Sequence, residues 1–166
     1  MIPDSVSRFP ASLILHTEAE KKGQMESYCQ TDTGLLRSNN QDFVYASDHS
    51  VGALAGLLIV ADGMGGQAAG DIASRLCVET MVDSIEQNQQ KGAVRVLSAA
   101  IREANRAVAH KASLDPELAG MGTTLVAAVP ENGGLIAANV GDSRLYIIDD
   151  DRIDQITQDH SLVEEM

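Results

Sequence analysis

Residues 56–66, GLLIVADGMGG, decide how the rest of this sequence is interpreted. Residues 56–61 form an apolar run of strand length, and Asp62 with a glycine-rich turn follows at once. A short apolar run bounded in this way predicts a buried strand. A second strand is predicted at residues 43–46, directly after Asp42. Each of the two aspartates therefore stands at the end of a predicted strand.

Two long helices are predicted after the glycine turn, because apolar residues recur there at helical spacing. The first contains Ala69, Ile72, Ala73, Leu76, Thr80, Met81 and Ile85, and the second contains Val94, Leu97, Ile101, Ala104 and Val108. Further strands are predicted at residues 26–31, 123–129, 135–140, 145–148 and 153–156. Hairpin-like turns late in the sequence favour an antiparallel α+β fold over a parallel, doubly wound sheet.

The two ends of the sequence carry different patterns from the middle. Residues 1–24 show no sustained hydrophobic period, so we expect a mobile leader or extension ahead of one domain over residues 25–166. Residues 161–164, SLVE, match a capping box and predict the start of a helix. One isolated turn is not stable in water, so we expect this end to fray or the polypeptide to continue beyond Met166.

Composition limits the class of protein. The length of 166 residues and the 44% hydrophobic content fit one domain with a core of small aliphatic side chains, since aromatic residues make up only 3%. Acids outnumber bases 24 to 12, which argues against nucleic acid and anionic membranes as partners. Cys29 and Cys77 form no CxxC motif, and no apolar stretch is long enough to span a bilayer, which favours the cytoplasm.

Asp42 and Asp62 are candidates for binding a divalent cation. Mg²⁺ and Mn²⁺ prefer oxygen ligands, and the backbone carbonyl of Gly63 is a natural additional donor. Arg37, five residues before Asp42, could bind a phosphate with its guanidinium fork. Taken singly, each feature is more typical of a turn, a cap or a solvated surface arginine. The spacing of these residues alone leaves both interpretations open.

Five short motifs in a fixed order resemble the metal-dependent protein serine/threonine phosphatases of type 2C, in particular the bacterial ones. The motifs are Thr33-Gly34, RSNNQD at 37–42, DGMGG at 62–66 with Ala69-Gly70, Gly122-Thr123-Thr124, and NVGDSR at 139–144. No single motif is specific, but the ordered set is. The resemblance covers residues 25–166, which correspond to the N-terminal portion of such a catalytic domain.

The resemblance implies a sandwich of two antiparallel β-sheets flanked by pairs of α-helices, an α/β/β/α arrangement of four layers. It also implies two Mn²⁺ or Mg²⁺ ions, with a third ion in some bacterial members. By similarity, Asp62 bridges two metals, Gly63 offers its carbonyl, and Asp42 reaches the metals directly or through water. Arg37 is implied to bind the substrate phosphate, and Asp142 to help hold the third metal.

The implied reaction is hydrolysis of phosphoserine and phosphothreonine in proteins. A hydroxide bridging the two metals would attack phosphorus directly, without a phosphoenzyme. A cysteine-nucleophile phosphatase is disfavoured because neither cysteine lies in a CxxxxxR loop. The expected partners are phosphorylated proteins, including a bacterial Ser/Thr kinase or its targets.

The sequence departs from the family pattern at three places. Gln41 stands where many members have an acid, which weakens a water-mediated metal contact. Met64 stands where eukaryotic relatives have a histidine, so the proton donor to the leaving group is unassigned, with His160 as one candidate. The family's two later metal-binding aspartates have no counterpart up to Met166. We therefore expect this chain to be truncated at its C-terminus and weakly active or inactive.

Two other functions are compatible with parts of the same sequence. The first is a non-catalytic remnant of the same fold that binds phosphoproteins or metal without turnover. The second is a nucleotide-binding protein in which the glycine turn holds a phosphate at a helix N-terminus. The second is disfavoured because GxxxxGK[ST] is absent and because the late hairpins do not suit a parallel sheet. The phosphatase interpretation requires Arg37, Asp42 and Asp62 to lie together.

Overall fold

The computed structural model describes residues 12–16 and 25–160. The elements, in chain order, are β1 Ser12–His16, β2 Glu26–Gln30, β3 Asp42–Ser47, β4 Leu57–Met64, α1 Gly66–Gln87, α2 Ala93–Leu114, a 3-10 turn Pro116–Leu118, β5 Gly122–Thr123, β6 Leu125–Glu131, β7 Gly134–Val140, β8 Tyr146–Asp149 and β9 Arg152–Gln155. The two long helices and all of the predicted strands are present within the described residues, with their ends shifted by a few residues.

Antiparallel pairing joins the strands. The main sheet has the order β3-β4-β6-β7, and the short β5 pairs with the end of β4. Two separate hairpins, β1-β2 and β8-β9, complete the described strands. The predicted α+β class with antiparallel sheets and a helix pair is therefore confirmed.

The core lies between the helix pair and one face of the main sheet. Side chains alternate along a strand, so the fully buried Leu57, Ile59 and Ala61 of β4 face the helices, as does Val129 of β6. Helix α1 contributes Ala73, Val78, Met81 and Ile85, and helix α2 contributes Val96, Leu97, Ala100 and Ala104. The alanines at the centre of both helices let the two layers pack closely, as the composition suggested.

Three details differ from the sequence-based predictions. Val94 is 60% exposed, and the buried stripe of α2 begins instead at Ala93, whose backbone amide donates to Glu131 Oε1 at 3.2 Å. Strand β4 continues two residues past Asp62, because Gly63 and Met64 pair with β5. A strand, β1, falls within the residues predicted as a leader, where no secondary structure was predicted.

Two further predictions concern the end of the chain and the membrane. The capping box at 161–164 lies outside the described residues. Within the described part of the chain, neither helix combines the length and the hydropathy that crossing a bilayer requires.

The buried face of β4 gives a first prediction. Replacing Ile59→Ala should lower the free energy of unfolding by about 3 kcal/mol, because Ile59 is fully buried and its loss leaves a cavity. The matched control is Ile148→Ala on β8, where the side chain is 73% exposed and a change within about 0.5 kcal/mol is expected. Urea unfolding measures both. Equal losses in the two variants would contradict this placement of the core.

Candidate active site

The register of β3 against β4 places Asp42 directly opposite Asp62. The Gly63 amide donates to the Gln41 carbonyl at 3.0 Å, which makes 41–63 the hydrogen-bonded pair. The next pair, 42–62, is then a non-hydrogen-bonded pair, in which opposite side chains are closest and point to the same face. Two carboxyl groups therefore lie side by side on the sheet face that points away from the helices.

The surroundings of Asp62 perturb its ionisation. The pKa of this carboxyl is raised from 3.8 to about 6, first by burial and then by the negative charge of Asp42 and a hydrogen bond to Asp42. The Arg37 guanidinium opposes this shift, whereas Asp142 adds to it. Arg37, Asp42 and Asp142, all predicted from the sequence, are thus close enough to act on Asp62.

Three hydrogen bonds with Thr123 and Thr124 hold the backbone of Asp62, and we call this pair of threonines the clamp. The hydroxyl of the buried Thr124 accepts from the Asp62 amide at 3.0 Å, and the Thr124 amide donates to the Asp62 carbonyl at 2.9 Å. The Thr123 hydroxyl donates to the same carbonyl at 3.1 Å. These three hydrogen bonds give Gly122-Thr123-Thr124 a role, to hold the aspartate motif, that its sequence alone did not indicate.

The loop that carries Asp142 is attached to the same clamp. The Ser143 and Thr124 hydroxyls lie 2.7 Å apart. Gly141 has φ +96°, and a Cβ atom there would lie 2.9 Å from Thr124 Cγ2, so only glycine allows this approach. Within residues 12–16 and 25–160, no group of three or more His, Cys, Asp or Glu side chains is close enough to hold a metal ion. Asp142 therefore stands near the Asp42–Asp62 pair without forming a three-acid cluster with it.

Gly63 and Gly70 form a direct contact between strand β4 and the first turns of α1. A Cβ atom on Gly63 would lie 1.8 Å from the Gly70 carbonyl oxygen, and one on Gly70 would lie 2.8 Å from the Gly63 carbonyl oxygen. Gly63 faces the helices because its neighbour Asp62 faces away from them. The two glycines fix the peptide of Gly63 beside the carboxylates.

The oxygen atoms gathered here fit part of the coordination shell of a hard divalent cation. Two facing carboxylates and the nearby Gly63 backbone offer oxygen ligands, which Mg²⁺ and Mn²⁺ prefer. The raised pKa of Asp62 reflects burial and a neighbouring negative charge, and a bound cation would offset both. The predicted metal roles of Asp42, Asp62, Gly63 and Asp142 remain predictions.

Arg37 lies in the loop that leads into β3 and Asp42. The Asn40 side chain donates to Thr31 Oγ1 at 2.8 Å and accepts from the Asp42 amide at 3.0 Å, which closes the loop at its base. The Arg37 guanidinium is exposed and donates to Gln41 Oε1 at 3.4 Å. Arg37 therefore contacts the residue next to Asp42, and its charge acts on Asp62.

Some residues around the site could not be assigned a role from the sequence. Ser74 is buried on α1, and its hydroxyl donates to the Gln41 carbonyl at 2.7 Å, a contact that no local pattern indicates. His160 is exposed, and its backbone amide donates to the Gly141 carbonyl at 3.0 Å, which places it beside the Asp142 loop. Met64 is 56% exposed and has no proton to donate.

Known proteins share both the sequence pattern and the fold of this chain. The family model described as "Protein phosphatase 2C" matches residues 37–163. The serine/threonine protein phosphatase PstP of Mycobacterium tuberculosis is 39% identical over 135 residues, which cover 81% of this chain and 25% of that protein. The serine/threonine phosphatase stp of Listeria innocua is 37% identical over 146 residues, which cover 86% of this chain and 57% of that protein.

A solved structure agrees with these sequence matches. The catalytic domain of PstP in complex with two manganese ions superposes with a TM-score of 0.69 at 35% identity, over 93% of this chain and 57% of that one. The chain thus spans between a quarter and somewhat over half of the length of these similar proteins.

The contact between Gly63 and Gly70 gives a second prediction. Gly63→Ala should cost about 3 kcal/mol of unfolding free energy, because the new methyl group meets a helix backbone that cannot easily move. Gly122→Ala is the matched control on the neighbouring strand, where the nearest atoms are those of the Met64 side chain at 3.6 Å. Its expected cost is within about 0.5 kcal/mol. Thermal unfolding measures both, and a tolerated Gly63→Ala would contradict the close approach.

The ionisation of Asp62 gives a third prediction. Because its pKa is raised from 3.8 to about 6, its contribution to folding is complete at low pH and is lost as the pH rises through 6. Without metal at about pH 7.5, Asp62→Asn should therefore unfold at higher temperature than the unsubstituted chain. The expected gain is about 1 kcal/mol, since solvent screens part of the repulsion.

The control for this prediction is Asp151→Asn in the exposed β8-β9 turn, which should show no such gain. The measurement is thermal unfolding in the presence of a chelator from about pH 4 to 7.5. A gain for Asp62→Asn that did not increase with pH would contradict the prediction.

Proposed function

This chain belongs to the protein phosphatase 2C family, and we propose that it binds metal and phosphate for the hydrolysis of phosphoserine and phosphothreonine in proteins. The observation that carries the proposal is the pairing of Asp42 with Asp62 beside the charge of Arg37. Paired carboxylates suit divalent cations, and a neighbouring guanidinium suits the phosphate that such cations activate.

The proposed cofactors are Mn²⁺ or Mg²⁺. Asp42, Asp62 and the Gly63 carbonyl would hold two ions, and Asp142 would help to hold a third. When bound, such ions lower the pKa of water to supply the nucleophile and neutralise the phosphoryl oxygens. The similar catalytic domain of PstP was solved in complex with two manganese ions, which supports the proposal without fixing the metal used here.

Arg37 would orient the substrate in this scheme. A guanidinium donates two parallel hydrogen bonds to phosphate oxygens, which fixes both the position and the rotation of the phosphoryl group. Arg37 is exposed, so it can reach a phosphate on the surface of another protein. The clamp on the Asp62 backbone holds the metal-binding side of the site still while the substrate is positioned.

A weakly active chain, or a remnant that binds metal without turnover, is the second candidate. One observation favours it: within the described residues no group of three or more metal-binding side chains is found. Two carboxylates and a carbonyl leave much of the shell of two ions to water. Proton donation to the leaving group is equally open, since Met64 cannot provide it and His160 is only placed nearby.

The partners and the location belong to the same proposal. The names of the similar bacterial proteins describe serine/threonine phosphatases, which supports phosphorylated proteins as substrates, including a bacterial Ser/Thr kinase or its targets. A cytoplasmic location is proposed because Cys29 and Cys77 are both free thiols, and a signalling role is proposed because the expected substrates are phosphorylated proteins.

Catalysis gives a fourth prediction. With Mn²⁺, the chain should hydrolyse p-nitrophenyl phosphate and a phosphothreonine peptide. Asp62→Asn should lower kcat/KM by at least about 100-fold, because it removes a metal-binding charge. Arg37→Ala should mainly raise KM, by about tenfold, because a charge-assisted hydrogen bond to phosphate is lost.

The control is Asp83→Asn, an exposed acid on α1 that should change neither parameter. Binding of Mn²⁺ is measured separately by calorimetry. Metal binding without hydrolysis would favour the remnant, and hydrolysis unaffected by Asp62→Asn would contradict the proposed site.

A further inference from the structure

Both the nitrogen and the oxygen of the Gln41 side-chain amide form hydrogen bonds. Its Nε2 donates to the Gly66 carbonyl at 2.8 Å, and its Oε1 accepts from Arg37 at 3.4 Å. A carbonyl can only accept and a guanidinium can only donate, so these two partners determine which way the amide points. An amide can satisfy both partners, whereas an ionised carboxylate has no hydrogen to donate to Gly66.

The backbone of Gln41 is held as firmly as its side chain. Its carbonyl oxygen accepts from the Gly63 amide at 3.0 Å and from the Ser74 hydroxyl at 2.7 Å. Gln41 is therefore joined both to the strand end that carries Gly63 and to helix α1. The side chain starts from a fixed point, which leaves it little freedom to reach elsewhere.

Helix α1 leaves room for this amide at one position. A Cβ atom on Gly70 would lie 2.7 Å from Gln41 Nε2 and 2.8 Å from its Cδ. The amide thus lies against the first turns of α1, and a side chain at position 70 would displace it. The fit between Gln41 and Gly70 adds a second reason for glycine at this position, besides the contact with Gly63.

We propose that Gln41 is a positioning residue that orients Arg37 for phosphate. Both ends of the amide are already engaged, one by Gly66 and the other by Arg37. Through Gln41, the direction of the guanidinium depends on the first turn of α1. The inference rests on the proposed function for the identity of the group that Arg37 binds.

A double-mutant cycle in the 166-residue chain tests this role. Gln41→Met keeps the length of the side chain but removes both hydrogen bonds. It should weaken the binding of inorganic phosphate, measured by calorimetry with saturating Mn²⁺, by about fivefold. In the Arg37→Ala background the same substitution should leave phosphate binding unchanged, because Gln41 would have nothing left to orient. Mn²⁺ affinity should change by less than about twofold.

The control is Gln89→Met, an exposed glutamine after α1, which should change neither affinity. If Gln41→Met does not fold in thermal unfolding, Gln41→Asn replaces it, since its amide is too short to reach both partners. An equal loss of phosphate affinity in the Arg37→Ala background, or an equal loss of Mn²⁺ affinity, would overturn the proposal. Failure of the unsubstituted chain to bind either ion would instead overturn the proposed function, and the role of Gln41 with it.

Discussion

The facing carboxylates of Asp42 and Asp62 are the constraint on which the rest of the structure depends. They meet because β3 and β4 pair in one register, and a slip by one residue would send one of them to the helix face of the sheet. The register is fixed by the burial of Leu57, Ile59 and Ala61 against the helices. The hydrophobic core therefore offsets the cost of holding two like charges together in the absence of a cation.

Because side chains alternate along β4, the two faces of the sheet have different roles. Odd-numbered residues of β4 face the helices, and Gly63 continues that series where the helix backbone leaves no room for a side chain. Asp62 belongs to the even-numbered series and points away from the core. A buried strand thus ends with one residue that packs against a helix and one that is available for binding.

Much of this arrangement could be predicted from the sequence, and the rest could not, for physical reasons. Glycine turns and hydrophobic spacing predicted where the helices and strands lie in the sequence. The ordered motifs indicated the candidate site residues, Arg37, Asp42, Asp62, Gly63 and Asp142. Val94 is exposed although its spacing fits the apolar stripe, whereas its neighbour Ala93 is buried and donates its amide to the distant Glu131. The contacts of Gln41 with Gly66 and Ser74 join residues that are 25 and 33 positions apart, and no local pattern records such contacts.

The clamp formed by Thr123 and Thr124 has a consequence for the entry of ions. It immobilises the main chain of Asp62, while the half-buried carboxyl group is attached through two rotatable bonds and is hydrogen-bonded to Asp42. An arriving ion would need to adjust those torsions and replace the hydrogen bond between the two carboxyl groups, but would not need to move the main chain. The reorganisation that loading requires is then confined to side chains, and the fold itself stays in place.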